Sequence, residues 1–490
     1  MLTIDEIKRF IQLDNCSARK SRAKVAQRYY DGHNDIEYYR LFYFDSNGDL
    51  KEDKFRTNTK ISHGFFTELV DQKVQYLLSG DLPFIRSDYP ELQEELDKYF
   101  DDDFVDELSD AIENASVTGT SYMYARKTED DITEFSFASS NGIIEVRGKQ
   151  TDDGCDYVIY WYVDRVTKDN NPIKRIQVWD TQQTYYYVED ENGEITLDES
   201  EEINPRPHIL VEKKDGLYER NMGYIPFFRL DNNNRQTSDL EPVKLLIDDY
   251  DLMNCGLSNN ITDMADGLYV VRGYEGQDLT ELQQNIKTTK IVGVDSDGDV
   301  EIRTIDVPYA ARQAKMEIDE KNIYKFGMGF NSAQIGDGNI TNIVIKSRYA
   351  LLDLKCDKFE KKLKKFLKQI IRVVIDEINE KNGTAYTEHD VYFDIDREVM
   401  TNALDNANIE KVEADTESVR VTTLLNAAAT LQDGETVVQA LCDIMDIDFE
   451  ELKTKIDLTG KSPMQELDDV YSLLGGNEIE QTTEGSTTQA

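Results

Sequence analysis

Hydrophobic positions recur along this chain in two rhythms. Up to about residue 118 the rhythm is helical. LTIDEIKRFIQL is amphipathic and runs into the basic stretch ARKSRAKVAQRYYDG, which predicts helix over residues 1–31, broken by Gly32 and Asn34. In HGFFTELVDQKVQYLLSG, the side chains of Phe66, Leu69, Val70, Val74, Leu77 and Leu78 share one face, and Gly80 is a stop signal. A third helix is expected over 91–118. From 119 to 229 the pattern shortens to runs such as SYMYARK, EFSFASS, IIEVRG, DYVIYWYVD, IKRIQVWD, TYYYVED and HILVEKK, separated by polar turns. That is the signature of antiparallel sheet.

The helical period returns over 239–266, where Ser238 and Glu241 have capping-box spacing and Pro242 falls in the first turn. Residues 268–307 read as a β-α-β-β insert, too small to bury much core alone. Pro308 opens another helix that Gly327 ends, and after a glycine-rich loop a helix of 347–381 should run for roughly 50 Å. In it Leu352, Cys356, Phe359, Leu363, Phe366, Ile370 and Val373 alternate by four and three, a heptad seam. Leu367, Ile371, Val374 and Ile378 widen that seam to a second face. A strand at YFDID and helices around 415–457 follow, and the last thirty residues are polar enough to be expected disordered. The fold class is α+β.

Charge changes the picture. The 490 residues carry 97 acidic and 55 basic side chains, a net charge of -42, while 10% aromatic content argues for a folded chain with an acidic surface. Tight DNA binders neutralise phosphates with Lys and Arg. This balance makes the chain a poor candidate for that class but permits a surface that DNA passes without sticking. Five dispersed cysteines with no CxxC argue against a disulfide framework or a zinc site and fit a reducing cytosol. The N-terminus lacks the apolar core of a signal peptide, and no apolar run of about eighteen residues predicts a membrane span.

Candidate chemistry is sparse. FGMGFNSAQIGDGNITNIVIK, residues 326–346, has the glycines of a phosphate cradle, yet Gly338 is followed by Asn339 and Ile340 where a P-loop needs Lys and Ser/Thr. It also follows a helix rather than a strand, so it reads as a mobile helix-to-helix connection. His33, His63, His208 and His389 sit in unrelated contexts. Asp101-Asp102-Asp103, Asp130-Asp131, Asp152-Asp153 and Asp248-Asp249 could serve a metal-dependent nuclease or phosphotransferase, but read better as solvated faces. DSNGD at 45–49 and DSDGD at 295–299 lack the Glu of a calcium loop and read as hairpin turns. The long helix carries Lys355, Lys358, Lys361, Lys362, Lys364, Lys365, Lys368 and Arg372. These either meet DNA phosphates or are solvated and paired with carboxylates, and the seam favours the second. An acidic scaffold or DNA mimic would explain the charge but not the order of elements.

That order carries a resemblance. YYDGHNDI, SHGFFTELVDQKVQYLLSGDLPF, IPFFRLDNNNRQTSDLEPVKLLIDDYDLMNCGLSNNITDMADGLYVVRG and KFGMGFNSAQIGDGNITNIVIKSRYALLDLKC resemble, in sequence and succession, the portal proteins of tailed bacteriophages. The branch is that of long-tailed phages of Gram-positive bacteria. The resemblance implies a wing over 1–238, a stem helix at 239–267, a clip at 268–307 and a second stem helix at 308–326. A tunnel loop would occupy 327–346, the wing's long helix and strand 347–400, and a crown 401–461, before a tail at 462–490.

It further implies a non-enzymatic ring of twelve copies, or thirteen in isolation, at one capsid vertex. Such a ring conducts double-stranded DNA during packaging and ejection. Its partners are the terminase motor, the major capsid and scaffolding proteins and a head-tail adaptor, with no cofactor and no membrane. It would reside in the virion after assembly in the host bacterial cytoplasm. The channel residues would be Gly329, Phe330, Asn331, Ser332, Gln334, Gly336, Asp337, Gly338, Asn339 and Asn342, with Lys355, Lys358, Lys362 and Lys365 as further candidate contacts. Twelve copies at -42 give about -500, an electronegative wall to which DNA would not adhere.

Overall fold

A computed structural model describes residues 1–397 apart from 46, 55, 81–82, 129–131, 149–153, 169–170, 214–215, 265–267, 273–298, 304–308 and 332–341, together with 411, 416, 419 and 420. The chain divides into two units, 1–337 with 347–399, and 338–346 with 400–490. The first unit is described below. The segments expected as crown and tail lie outside the described residues apart from those four positions, as do DLTELQQNI and the turn DSDGD up to residue 298 of the expected clip.

Helices α1 (Ile4–Asn15) and α2 (Ala18–Tyr30) replace the single N-terminal helix. Ser17 breaks it by accepting a hydrogen bond from the Lys20 amide at 3.2 Å, a serine N-cap. After α3 (Phe65–Leu77), the helix expected over 91–118 is likewise two, α4 (Pro90–Leu96) and α5 (Asp102–Thr118). Asp101 caps α5 through the Phe104 amide at 3.0 Å, so one carboxylate of the Asp triplet starts a helix. Gly119 closes α5 at φ +94, where an added Cβ would strike the Gln236 backbone.

Every strand pair among the described residues is antiparallel. The largest sheet runs in the order 195–197, 183–189, 172–179, 157–166, 143–146, with 206–207 also on 183–189. The amphipathic α1 lies on it and buries Ile7 and Ile11 among Ile159, Ile176, Val178 and Tyr187. A second sheet orders 227–231, 120–127, 133–138 and packs on α5. Leu268–Arg272 pairs with Asp299–Arg303, so two strands of the insert meet.

Helix α6 (Lys244–Met264) begins five residues later than the pattern suggests. Ser238 Oγ accepts from the Leu240 amide at 3.0 Å, and the intervening residues make short turns before the helix sets in. It packs against α7 (Tyr309–Gly327). Helix α8 (Asn342–Asn382), 41 residues, starts five residues earlier than expected. Leu352, Cys356, Phe359, Leu363, Phe366 and Ile370 of its seam are all 2% exposed or less, as are Leu367, Ile371, Val374 and Ile378, while Val373 is half-buried. This double face buries α8 against α3, α5 and the second sheet, making it the spine of the main core. The Cys356 thiol is pushed up to about 11 by that burial.

Candidate functional site

The described part of the glycine-rich segment is its root, and the root is clamped. At the end of α7, Tyr324 donates its hydroxyl to Glu68 of α3. Gly327 and Gly329 then cross Leu69 so closely that a Cβ on either would overlap its side chain. Leu69 is 1% exposed and has little room to yield. Between them Met328 takes φ +55, a left-handed conformation costing a non-glycine residue about 1 kcal/mol or more. The next residue is held on its backbone and its ring. Gln72 accepts from the Phe330 amide at 2.8 Å and donates to its carbonyl at 2.7 Å. The Phe330 ring stacks on Tyr349 of α8 with centroids 4.6 Å apart and planes at 19°. Asn331 donates to Glu320 at 2.8 Å. Ser332, Gln334, Gly336, Asp337, Gly338 and Asn339 lie outside the described residues, and Asn342 opens α8.

Beneath the clamp is a buried ionic core. Lys355 points inward: its amine donates to the Gly327 carbonyl at 3.0 Å and pairs with Asp239 at 3.1 Å. Lys73, 1% exposed, also pairs with Asp239 at 3.1 Å, donates to Asn232 at 2.7 Å, and lies 4.1 Å from the Phe359 ring centroid. Asn232 in turn donates to Asp239 at 2.8 Å. Desolvation pushes the Asp239 carboxyl upward, but the Lys355 and Lys73 amines outweigh it and hold the group well below the usual carboxylate range. Burial pulls the Lys73 amine down, against the pull of Asp239. Two cations around one largely buried carboxylate fix geometry more than they add stability.

The other basic positions of α8 divide by direction. Lys358 is exposed. Lys362 and Lys365 line a cavity of about 480 Å³ together with Arg147, Arg229, Glu145 and Tyr224. Lys364 pairs with Glu360 at 2.6 Å, and Arg372 pairs with Glu388. Arg397 gathers Asp353 and Asp357, each at 2.7 Å, together with the same Glu360. The long helix is therefore striped rather than uniformly basic, and Lys355 serves the clamp.

Of the aspartates considered for metal chemistry, Asp101 caps α5 and the pair on α6 is engaged. Asp248 accepts from Tyr29 and pairs with Lys244 at 2.8 Å, and Asp249 pairs with Lys315 of α7. Among the described residues no three His, Cys, Asp or Glu side chains are grouped to hold an ion. His63 is wired between Asp251 at 2.6 Å and Asn254 at 2.8 Å, a local bonding scheme on α6. No described helix is long and apolar enough to cross a membrane.

Sequence reasoning missed Glu68, Gln72, Lys73 and Asp239. Only Lys73 left a signal: it follows Phe66 and Val70 on the apolar stripe of α3, and a cation there implies a buried counter-charge.

Comparison with known proteins bears on all these elements. The chain is 30% identical over 339 residues to the portal protein of Bacillus phage SPP1, covering 69% of this chain and 66% of the relative. It is 23% identical over 432 residues to the portal protein of Clostridium phage phiCD119, covering 83% and 89%. The aligned part thus spans just under two thirds of the Bacillus phage protein. The family model described as phage portal protein, SPP1 Gp6-like, matches residues 12–452, from α1 through the clamp, the ionic core and the whole of α8. With so much of its length matched, the chain belongs to the SPP1 Gp6-like family of phage portal proteins.

Proposed function

We propose that this chain is the repeating subunit of a closed, non-enzymatic ring at one capsid vertex. Double-stranded DNA enters and leaves through the ring, and the terminase motor, the capsid and scaffolding proteins and a head-tail adaptor dock on it. Residues 1–238 with 347–400 form the wing, 239–267 and 308–326 the stem, 268–307 the clip and 401–461 the crown. Residues 327–346 form the tunnel loop beside the DNA. There the side chains of Ser332, Gln334, Asn339 and Asn342 exchange hydrogen bonds with DNA and avoid the salt-dependent grip of lysines, while Asn331 stays with the root. Lys358, Lys362 and Lys365 add weak long-range attraction, while Lys355 is reserved for the root.

The observation that carries this reading is the clamp. A segment that touches a moving polymer must be free at its tip and fixed at its base, and Gly327 to Asn331 are bound on three sides by α3, α7 and α8. The family match over 12–452 supports the rest.

The test is the mass of the native purified particle with electron-microscopy class averages of the same sample. A ring of about twelve or thirteen subunits around a central hole is the outcome expected for this assembly. A stable monomer or dimer would remove the channel. Asp337→Lys should then impair DNA packaging by such rings, and packaging at the wild-type level would sink the loop assignment.

A further inference from the structure

Two helices of the main core carry opposite charge on the sides they turn away from it. From Lys358 to Arg372, α8 holds seven basic side chains and one acidic one. From Asp101 to Glu113, the start of α5 holds seven acidic side chains and no basic one. Lys358, Lys361, Lys365 and Lys368 are all exposed, and their spacing of three, four and three sets them in one row. Asp103, Asp106, Asp110 and Glu113 repeat that spacing on α5, the first three exposed and Glu113 half-buried. Ten residues separate the ends of each row, so at 1.5 Å per residue both are about 15 Å long.

Neither row is answered within the chain. None of these eight side chains makes an ion pair among the described residues, although Lys364 and Arg372 beside the basic row do. A cavity of about 660 Å³ opens beside the acidic row, lined by Asp103, Asp106, Asp110 and Glu134. Its two cations, Lys98 and Arg126, are already paired to Glu95 and Glu134. The two rows cannot meet in one copy. Cys356, Leu363 and Ile370 bury the opposite side of α8, and Phe104, Leu108 and Ala115 the opposite side of α5, in the same core.

Charge identifies the occupant of both rows at once. DNA would satisfy the lysines but repel the aspartates, and a basic partner would satisfy the aspartates but repel the lysines. A second copy of the chain offers both. Two unlike patches that fit each other make a head-to-tail contact, which generates a ring where the rotation between copies closes. We infer that the row Lys358 to Lys368 of α8 in one copy docks on the row Asp103 to Glu113 of α5 in the next. The inference rests on the ring reading above. It engages Lys358 and Lys365 at short range and leaves DNA only their weak residual field.

Two charge-reversed variants of the full-length protein test it, Lys361→Glu/Lys365→Glu and Asp106→Lys/Asp110→Lys. Each should keep the wild-type circular dichroism, because these side chains have no ion-pair partner within the chain. For each alone, the concentration at which rings half-assemble should rise by at least about tenfold. Mixed in equal amounts they should assemble near the wild-type concentration, in rings of even subunit number, since alternating copies restore every contact. A photo-crosslinker at Lys365 of the otherwise wild-type chain, half of it isotopically labelled, should join α5 of a differently labelled copy whether or not the variants fold. Normal assembly by either variant, folded variants whose mixture stays apart, or adducts made only within one copy or away from α5 would overturn the contact while leaving the ring intact. So would a lysine variant that assembles normally but fails to package DNA, which would give the row to DNA. A wild-type chain that stays monomeric would instead overturn the ring reading itself.

Discussion

The root of the glycine-rich segment at 324–331 and the hairpin at 42–52, with Lys60 at its base, are made of similar parts. Each has aromatic side chains, a glycine at a positive-φ turn or close crossing, and a lysine tied to backbone carbonyls. Their surroundings are opposite. Phe330 is stacked, backbone-bonded and set above a buried ion cluster, whereas Phe44 is 73% exposed with its whole strand pair. The difference teaches that aromatic content does not separate core from exposed surface. What separates them is whether the chain itself provides the opposing face. For the root it does, through Leu69, Gln72 and Tyr349. For the hairpin of Phe42–Phe44 and Leu50–Glu52 it does not among the described residues.

Substitutions sharpen that contrast. The largest effect is expected at the ion cluster. Asp239→Asn strips the carboxylate from two buried amines and should cost about 3–5 kcal/mol in chemical denaturation. The same carboxyl sets an acid limit. Its folded-state value is depressed, so its stabilisation is complete above the unfolded value of roughly 4 and is lost as pH falls further. Acid titration of the wild type against Asp239→Asn should show that slope only in the former.

Gly329→Ala should cost about 1–3 kcal/mol by overpacking against Leu69. In the double variant with Leu69→Ala, the combined loss should be smaller than the sum of the two, because the cavity left by one substitution accepts the methyl of the other. Strict additivity would mean the two do not meet. Gln72→Ala, which removes both hydrogen bonds to Phe330, should cost about 1–2 kcal/mol and speed proteolysis near the root.

A smaller effect is expected at His208, which is half-buried and stacks on Trp179. Burial holds its pKa below the ordinary imidazole value. Its contribution is therefore complete above about 6.5 and is lost as pH falls below that. His208→Phe should flatten the melting curve's dependence on pH in that window.

Much of the fold was legible because local periodicity and turn chemistry agree with it. The seam of α8, the face of α3 and the antiparallel runs over 120–213 all emerge in place. What failed were boundaries set by single side chains. Asp101 and Ser17 each cut one expected helix in two by capping a backbone amide, and a capping aspartate looks like any other in so acidic a chain. DSNGD was readable as a turn, but the strands beside it were not, since three residues hold too little pattern.

The candidate site was less legible. Lys355 was one cation among eleven on its helix, and its partner Asp239 is 116 positions away, so only the folded chain reveals the pair. The clamp residues Glu68 and Gln72 carry polar side chains on an apolar helix and give no distinctive spacing. Only contact with the root distinguishes them.

The clamp also has a mechanical consequence. The ties on residues 327–331 follow one another along the chain: Glu320 on Asn331, Gln72 on the Phe330 backbone, Tyr349 on its ring and Lys355 on the Gly327 carbonyl. A tug along the chain from residue 332 meets the tie on Asn331 first and the one on Gly327 last. Each passes its load to one of three helices in turn. Strain imposed at the far end of that segment is thus passed stepwise into the frame of the subunit.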